Sequence, residues 1–238
     1  MSLLTQKYDY TPIKRTEQEG KRLYTTPTGD RVPSVTTILS QTQPPEKRAA
    51  LQEWRQRVGV AKAQEITTEA AGRGTRMHKF LERYILEGQL PDPGSNPFSH
   101  QSHKMAKSII ENEFNNINEI WGVEVGLYYP EIYAGTCDSC GVYKTEDTIF
   151  DYKQSNKVKL REYIDDYFLQ LVSYSLCHNK LYGTHIRKGV ILMSVKPPEI
   201  TPGRWGDPQH QTFIIEGNEF DRYVDMWWNR VEQFYSAN

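Results

Sequence analysis

The sequence predicts an α/β fold: a β-sheet flanked by helices, with a further helical region ahead of it. Three observations carry that reading. Apolar residues recur at helical spacing from about residue 46 to 120, three strand-like segments follow between residues 124 and 153, and a helix, two strands and a last helix complete the order. With 238 residues, 37% hydrophobic and 25% charged, the chain can bury a core, which excludes global disorder. Its longest nearly apolar run, Gly189 to Val195, is far short of the roughly 20 residues of a membrane span, so no membrane partner is expected. The opening residues lack the apolar stretch of a secretory signal, and their acidic residues argue against a transit peptide. Three cysteines are too few for a disulfide scaffold and point to a reducing, cytoplasmic setting.

Taken in order, Arg22 to Thr26 and Arg31 to Pro33 read as a small hairpin across a Pro-Thr-Gly-Asp turn. Ser34 has the chemistry of an N-cap for a short helix through Leu39. From Glu46 the spacing of Leu51, Trp54 and Val58 is helical, and Val60 to Leu86 continues so, with a break expected near Gly72 and Gly74. Asp92 to Pro97 reads as a loop, and His103 to Ile120 as a helix with Met105, Ile109, Ile110, Phe114 and Ile117 on its apolar stripe. Strands are expected at Glu124 to Tyr129, Tyr133 to Tyr143 and Thr148 to Lys153, the last two joined across Lys144 to Asp147. A helix from Leu160 to Leu181, strands at Val190–Val195 and Thr212–Glu216, and a helix from Glu219 to Phe234 follow.

The second hairpin carries the chemistry. If Tyr143 pairs with Thr148, Asp138 lies opposite Lys153 with Asp151 diagonal to both, and the period-2 rule puts all three on one face. Converging carboxylates repel unless something positive sits between them, and a divalent metal with oxygen ligands, Mg²⁺ or Mn²⁺, meets that need. The lysine then orients or deprotonates the water that attacks a phosphodiester. The competing reading is a cross-strand salt bridge on a solvated face. Glu124, on the preceding strand, is a candidate further carboxylate or a surface residue. His78, on a helix after Gly72 and Gly74, is a candidate ligand or a packing histidine. Gln170 and Tyr174, at i, i+4 with Asp166 and Tyr167 on the same face, line a site or form an amphipathic stripe.

Gly135-Thr-Cys-Asp138, Asp151-Tyr-Lys153-Gln-Ser155, Gln170-xxx-Tyr174, Gly74-xxx-His78 and Glu124, in this order of elements, resemble the RecB-like branch of the PD-(D/E)XK nuclease superfamily. Pro33-Ser-Val-Thr-Thr-Ile-Leu39 and Trp54-Arg-Gln-Arg57 are similar to the mitochondrial genome maintenance exonuclease group and its phage and bacterial relatives, from about residue 20 to 235. One departure is that no proline precedes Asp138. The resemblance implies a restriction-endonuclease-like core with a central mixed sheet. It makes the whole chain one nuclease domain, residues 1–120 gripping DNA and 121–238 forming the catalytic core. Asp138 and Asp151 would hold the metal with the Tyr152 carbonyl and His78, the imidazole favouring Mn²⁺. Glu124 would stand beside them as a catalytic carboxylate, and Lys153 would position the water. Gln170 and Tyr174 would face the DNA.

For the partner, the net charge of −1 hides an asymmetry: residues 1–110 hold 17 Lys+Arg against 11 Asp+Glu, and residues 111–238 hold 12 against 19. Such a split points to nucleic acid or phosphate, or else reflects clustered solvated charge. Arg55, Arg57, Arg73, Arg76 and Lys79 are expected to follow phosphates, and Lys157, Lys159 and Arg161 to hold the strand near the metal or to cap the next helix. Threading of single-stranded DNA is implied by the resemblance alone. Cys137 and Cys140, with His100 and His103 upstream, invite a zinc reading; an odd separation within one strand points the thiols to opposite faces, so no zinc is expected. Three cysteines likewise exclude a four-cysteine iron–sulfur cluster. Tyr128, Tyr129, Trp205, Trp227 and Trp228 are candidates to stack bases, with core packing the expectation for most of them. The expectation is therefore a metal-dependent DNA exonuclease acting on single strands or single-stranded ends. Its alternatives are a structure-specific or duplex endonuclease of the same superfamily and a non-catalytic DNA-binding protein. No oligomeric state is assigned.

Overall fold

A computed structural model describes residues 3–18 and 21–237. The chain runs β1 (Lys14–Gln18), β2 (Lys21–Thr25), β3 (Arg31–Pro33), α1 (Val35–Gln41), α2 (Pro45–Val58), α3 (Val60–Glu87), α4 (Pro97–Glu113), β4 (Ile117–Tyr129), β5 (Tyr133–Tyr143) and β6 (Glu146–Ser155). It continues through α5 (Asp165–Tyr182), β7 (Lys188–Val195), β8 (Glu199–Thr201), β9 (Arg204–Trp205), β10 (Gln209–Glu216) and α6 (Gly217–Ser236). The central sheet has five strands in the order β10-β7-β6-β5-β4. It is mixed, because β6 and β7 pair in parallel while the other neighbours are antiparallel. A parallel pair needs a crossover, and α5 supplies it.

Every residue of β7 is buried, as a strand covered on both faces must be. Val190 and Leu192 join Phe150 and Tyr152 under Met77, Leu81 and Ile85 of α3 and Met105 and Ile109 of α4. Ile191 and Met193 join Ile149 on the opposite face, under Leu171 and Val172 of α5 and Trp227 of α6. Alternation along the two central strands thus feeds two apolar layers; β1, β2 and β3 form a separate outer sheet, whose Tyr24 and Val32 join Ala134 in a third small cluster.

Several boundaries differ from the sequence expectation. The helix through Gly72 and Gly74 is unbroken. Each helical glycine costs about 1 kcal/mol, whereas full burial of an apolar side chain returns about 1.5–3 kcal/mol. Met77, Leu81 and Ile85 are each fully buried on this helix. α4 begins at Pro97 because Asn96 accepts from the Phe98 N–H as its N-cap, and the chain from Ile117 onward enters β4. The residues ahead of Arg22 are expected to be loop, but Lys14–Gln18 form β1, paired antiparallel with β2; the β8–β9 pair carries no expectation. Helix α2 has the predicted periodicity but buries no residue, and it meets α3 at Gly59, whose φ is 84°.

The β5–β6 turn is the most consequential shift. Tyr143 pairs with Glu146, and the turn is Lys144-Thr145, both at positive φ, 47° and 74°. Two-residue hairpin turns of this kind favour Asn and Gly, so the sequence carries no signal for it. The turn is instead held from outside: the Lys144 N–H donates to the Asn116 carbonyl at 2.9 Å and the Thr145 N–H to Asn118 Oδ1 at 3.0 Å. The register moves by two residues, so Asp138 does not lie opposite Lys153 as expected, although a shift of two by itself does not turn the β6 side chains to the other face.

Candidate active site

Asp138 and Glu124 stand where two neighbouring strands change phase together. Val123 pairs with Ser139, and Val125 with Cys137. Within β4, Val123 packs on the α3/α4 layer while Val125 lies in the α5/α6 layer, although regular alternation would put both on one face. Within β5, Cys137 lies in the α5/α6 layer, while Ser139 Oγ is 2.7 Å from the hydroxyl of Tyr152, a residue of the α3/α4 layer. The reversal falls at Glu124, whose φ is 50°, and at Asp138 across from it. A non-glycine residue in that region is strained by about 1–3 kcal/mol and persists only where its surroundings enforce it. One consequence corrects the sequence reading: Cys137 and Cys140 both lie in the α5/α6 layer, not on opposite faces. His100 Nε2 donates to the Gly94 carbonyl at 2.6 Å and His103 packs edge-on to Phe80, so neither joins the thiols.

The paired ladder between β5 and β6 reaches Ser139 and Phe150. Beyond it, Asp138 Oδ2 accepts the Tyr152 N–H at 2.7 Å. Helix α3 brings His78 over this point: its Nε2 is 2.8 Å from the Tyr152 carbonyl, and its Nδ1 is 3.6 Å from Asp138 Oδ1 and 3.9 Å from Glu124 Oε1. Ligand-capable atoms of His78, Glu124 and Asp138 all lie within 4.8 Å of one another. Burial disfavours the imidazolium, but Asp138 and Glu124 outweigh it and raise the His78 pKa to about 9. Asp151 is buried below; Lys153 Nζ donates to its Oδ1 at 2.6 Å, while its Oδ2 is buried without a hydrogen-bond partner. Burial, opposed by Lys153 and reinforced by Asp138, pushes the Asp151 carboxyl up. Burial works against the Lys153 ammonium too, yet Asp151 and Asp138 more than offset it and its pKa rises.

These residues fit a divalent cation. The donor set is carboxylate oxygen and imidazole nitrogen, and Asp151 Oδ2 is an orphaned buried acceptor of the kind that needs a partner. The set differs from the expected one in two ways. Glu124 stands within the ligand cluster itself, and the Tyr152 carbonyl faces the His78 ring nitrogen.

The site floors a cavity of roughly 550 Å³. Gln170 Oε1 accepts from Lys153 Nζ at 3.3 Å, and Lys153 lies 5.1 Å from the Tyr167 ring centre. Gly135 admits the Tyr174 phenol, since a Cβ there would lie 2.7 Å from its ring. Tyr174, Gln170 and Lys79 line the cavity. Arg15 and Arg22 of the outer sheet line it as well, with Ser34 and Thr36. Sequence reasoning missed those two arginines, although Ser34 and Thr36 lie within the quoted Pro33–Leu39 motif.

Arg73 does not reach the cavity. It is 1% exposed, and its guanidinium donates to Glu69 at 3.0 Å, to Gln154 at 2.9 Å and to Asn156. Arg76 also turns away, its Nε donating to Ser102 of α4 at 3.3 Å. Residues 73, 77, 81 and 85 form the buried face of α3, and 74, 75, 78, 79 and 82 its cavity face. Lys157 and Lys159 line a second groove, roughly 720 Å³, with Arg57, Lys196, Trp54 and Tyr167. Arg161 is engaged by Glu219 at 2.6 Å. Trp227 is buried, and Tyr129 and Trp228 pack on Tyr133, so these aromatics are core as expected.

No protein-family model matches the chain. It is 27% identical over 214 residues to mitochondrial genome maintenance exonuclease 1 of Mus musculus, covering 85% of this chain and 59% of that one. The Xenopus tropicalis protein of the same name is 27% identical over 217 residues, and the Homo sapiens one 24% over 216. The chain resembles these exonucleases over most of its length and spans somewhat more than half of theirs. A candidate exonuclease from Eubacterium rectale matches in structure with a TM-score of 0.47 and 11% identity, covering 71% of this chain and 68% of that one. No helix among the described residues is long and apolar enough to cross a membrane.

Proposed function

We propose that this chain is a metal-dependent deoxyribonuclease that degrades DNA from single-stranded ends, all its segments serving one catalytic unit. The observation that carries the reading is the convergence of His78, Glu124 and Asp138 above Asp151 and Lys153 on the floor of one cavity. His78, Glu124, Asp138 and Asp151 would hold a divalent cation, Mn²⁺ or Mg²⁺, which would supply Lewis-acid polarisation of the scissile phosphate.

The remaining roles follow from the chain's own groups. Lys153, kept charged by Asp151 and Asp138, has ammonium protons to donate; it orients the attacking water and counters charge developing on the phosphate. Asp138 spans the gap in the ladder, tying the Tyr152 N–H to the His78 side of the site. Gln170 fixes the ammonium from the α5 side, and the Tyr174 phenol, its pKa raised by burial, stays a neutral donor facing the substrate. Arg15, Arg22 and Lys79 give the cavity rim its positive charge. The strand continues past Gly74 and Gln154 into the second groove, where Arg57, Lys157 and Lys159 meet phosphates and Trp54 and Tyr167 offer ring faces to bases. A cytoplasmic location is proposed on the three unpaired cysteines.

End-labelled linear single-stranded, circular single-stranded and duplex DNA, each with Mg²⁺, Mn²⁺ or EDTA, test the reading. Linear single strands should be shortened only with metal, and circles should survive. Equal loss of circle and line would favour an endonuclease; binding without cleavage under any metal would favour a DNA-binding protein.

A further inference from the structure

Glu124 holds a left-handed backbone conformation, φ 50°, inside an edge strand whose pairing with β5 is already irregular between Ile120 and Gly122. What lies against that strand is the segment from Leu3 to Ile13. Its Leu3 N–H donates to the Ile85 carbonyl at 2.9 Å and its Thr5 N–H to the Ile120 carbonyl at 2.7 Å. Further along, the space at Gly122 is shared by the Val125 side chain of the same strand and the Tyr10 ring, a Cβ there coming within 2.4 Å of Val125 Cγ2 and 2.7 Å of a Tyr10 ring carbon. Ile13 fills the space at Gly126, where a Cβ would lie 2.6 Å from its Cγ1. Tyr10 Oη is fixed in turn, 3.0 Å from both Cys140 Sγ and His178 Nε2.

The two filled spaces bracket Glu124, two residues to either side. We propose that the strap from Leu3 to Ile13 is a positioning element for the metal site: Tyr10 and Ile13, seated at Gly122 and Gly126, hold β4 in the out-of-phase path that turns Glu124 toward His78 and Asp138. With the strap loosened, β4 is free to regain regular alternation, which turns the Glu124 side chain away from the cation. The apparent affinity for the cation then falls by the fraction of molecules in which Glu124 still points inward. This inference rests on the metal-dependent reading, and on Glu124 being one of the ligands.

Mn²⁺ affinity of the metal-free protein, measured by isothermal titration without DNA, tests it in four proteins: wild type, Tyr10→Ala, Glu124→Gln and the double variant. Tyr10→Ala should weaken Mn²⁺ binding about 10-fold in the wild-type background and by less than about 2-fold beside Glu124→Gln, because a residue acting through Glu124 has nothing left to position. Tyr10→Phe, which keeps the ring at Gly122, should bind Mn²⁺ as wild type does. Should Tyr10→Ala fail to fold, Ile13→Ala takes its place in the same cycle. Unchanged affinity on loss of the ring, or an equal loss in both backgrounds, overturns the positioning role. A wild-type protein that binds no divalent cation overturns the parent reading as well, so the two failures are distinguishable.

Discussion

Replacing Arg73 by methionine separates a phosphate contact from a structural one. Methionine keeps much of the apolar stem but loses the bonds to Glu69, Gln154 and Asn156. Removing one member of a buried charged network costs about 3–5 kcal/mol. Glu69 retains Lys196 at 2.9 Å, so the low end of that range applies. In a chain of this length each kcal/mol moves Tm by about 2–4 °C, which makes the expected fall about 6–12 °C. DNA binding should keep its salt dependence, because no phosphate contact is lost. Lys79→Met, on the cavity face of the same helix, should do the reverse: little change in Tm and a log–log salt slope smaller by about 0.7. Thermal unfolding and fluorescence anisotropy of a labelled single-stranded oligonucleotide across a salt series, in EDTA to suppress cleavage, read both. An Arg73→Met protein with unchanged Tm and a slope reduced by about 0.7 would refute the buried-network argument and return the guanidinium to the DNA.

Asp138→Ala, Asp151→Ala and Lys153→Ala should each lower cleavage by at least about 100-fold; the Asp138 change relieves repulsion and should leave the fold intact, whereas Lys153→Ala strips buried Asp151 of its counter-charge and should also lower Tm. Wild-type turnover by any of them removes that residue from the site. Gly135→Ala drives a Cβ into the Tyr174 ring at 2.7 Å, so turnover should fall in the wild-type background but change little once Tyr174→Ala has removed the ring; an equal further loss in that background means the effect has another origin. Glu113, against burial, is held at about 2 by His210, Thr212, Asn116 and Tyr143. A depressed carboxyl stabilises the fold above its unfolded pKa of about 4.3 and loses that contribution as pH falls toward 2, so the stability gap between wild type and Glu113→Gln in urea unfolding should be about 2–3 kcal/mol at neutral pH and close through that window. A gap that is constant with pH would mean the carboxylate charge is not what Glu113 contributes.

Much of the fold was written locally and so could be read locally. Ser34 accepts the Thr37 N–H at 2.9 Å as the cap it was expected to be, and Gln170 and Tyr174 reach one cavity because i, i+4 spacing decides that within a single helix. Asp151 and Lys153 share a face for the equally local reason of strand alternation. What escaped was written in neighbours. The Lys144-Thr145 turn is stabilised by Asn116 and Asn118 rather than by its own residues. The change of phase at Glu124 and Asp138 breaks the one rule by which faces were assigned, which is why Glu124 moved into the ligand cluster and the two cysteines onto one side. Arg73 looked like its neighbours Arg76 and Lys79 by composition; only the burial of residues 73, 77, 81 and 85 along α3 tells it apart, and the break expected at Gly72 and Gly74 concealed that face.

Helix α2 has a thermodynamic consequence of its own. Fourteen residues with no buried side chain, joined to α3 through Gly59, have little beyond their own backbone bonds to keep them helical. Isolated helices of about 12–15 residues are marginal in water. The amides of α2 should therefore exchange with solvent through local opening at a free energy near zero, while those of β7, buried at every position, exchange only on global unfolding. A ligand that rests against Trp54 and Arg57 must order this helix as it binds, and the entropy it surrenders will appear in calorimetry as a binding enthalpy larger than the affinity alone would require.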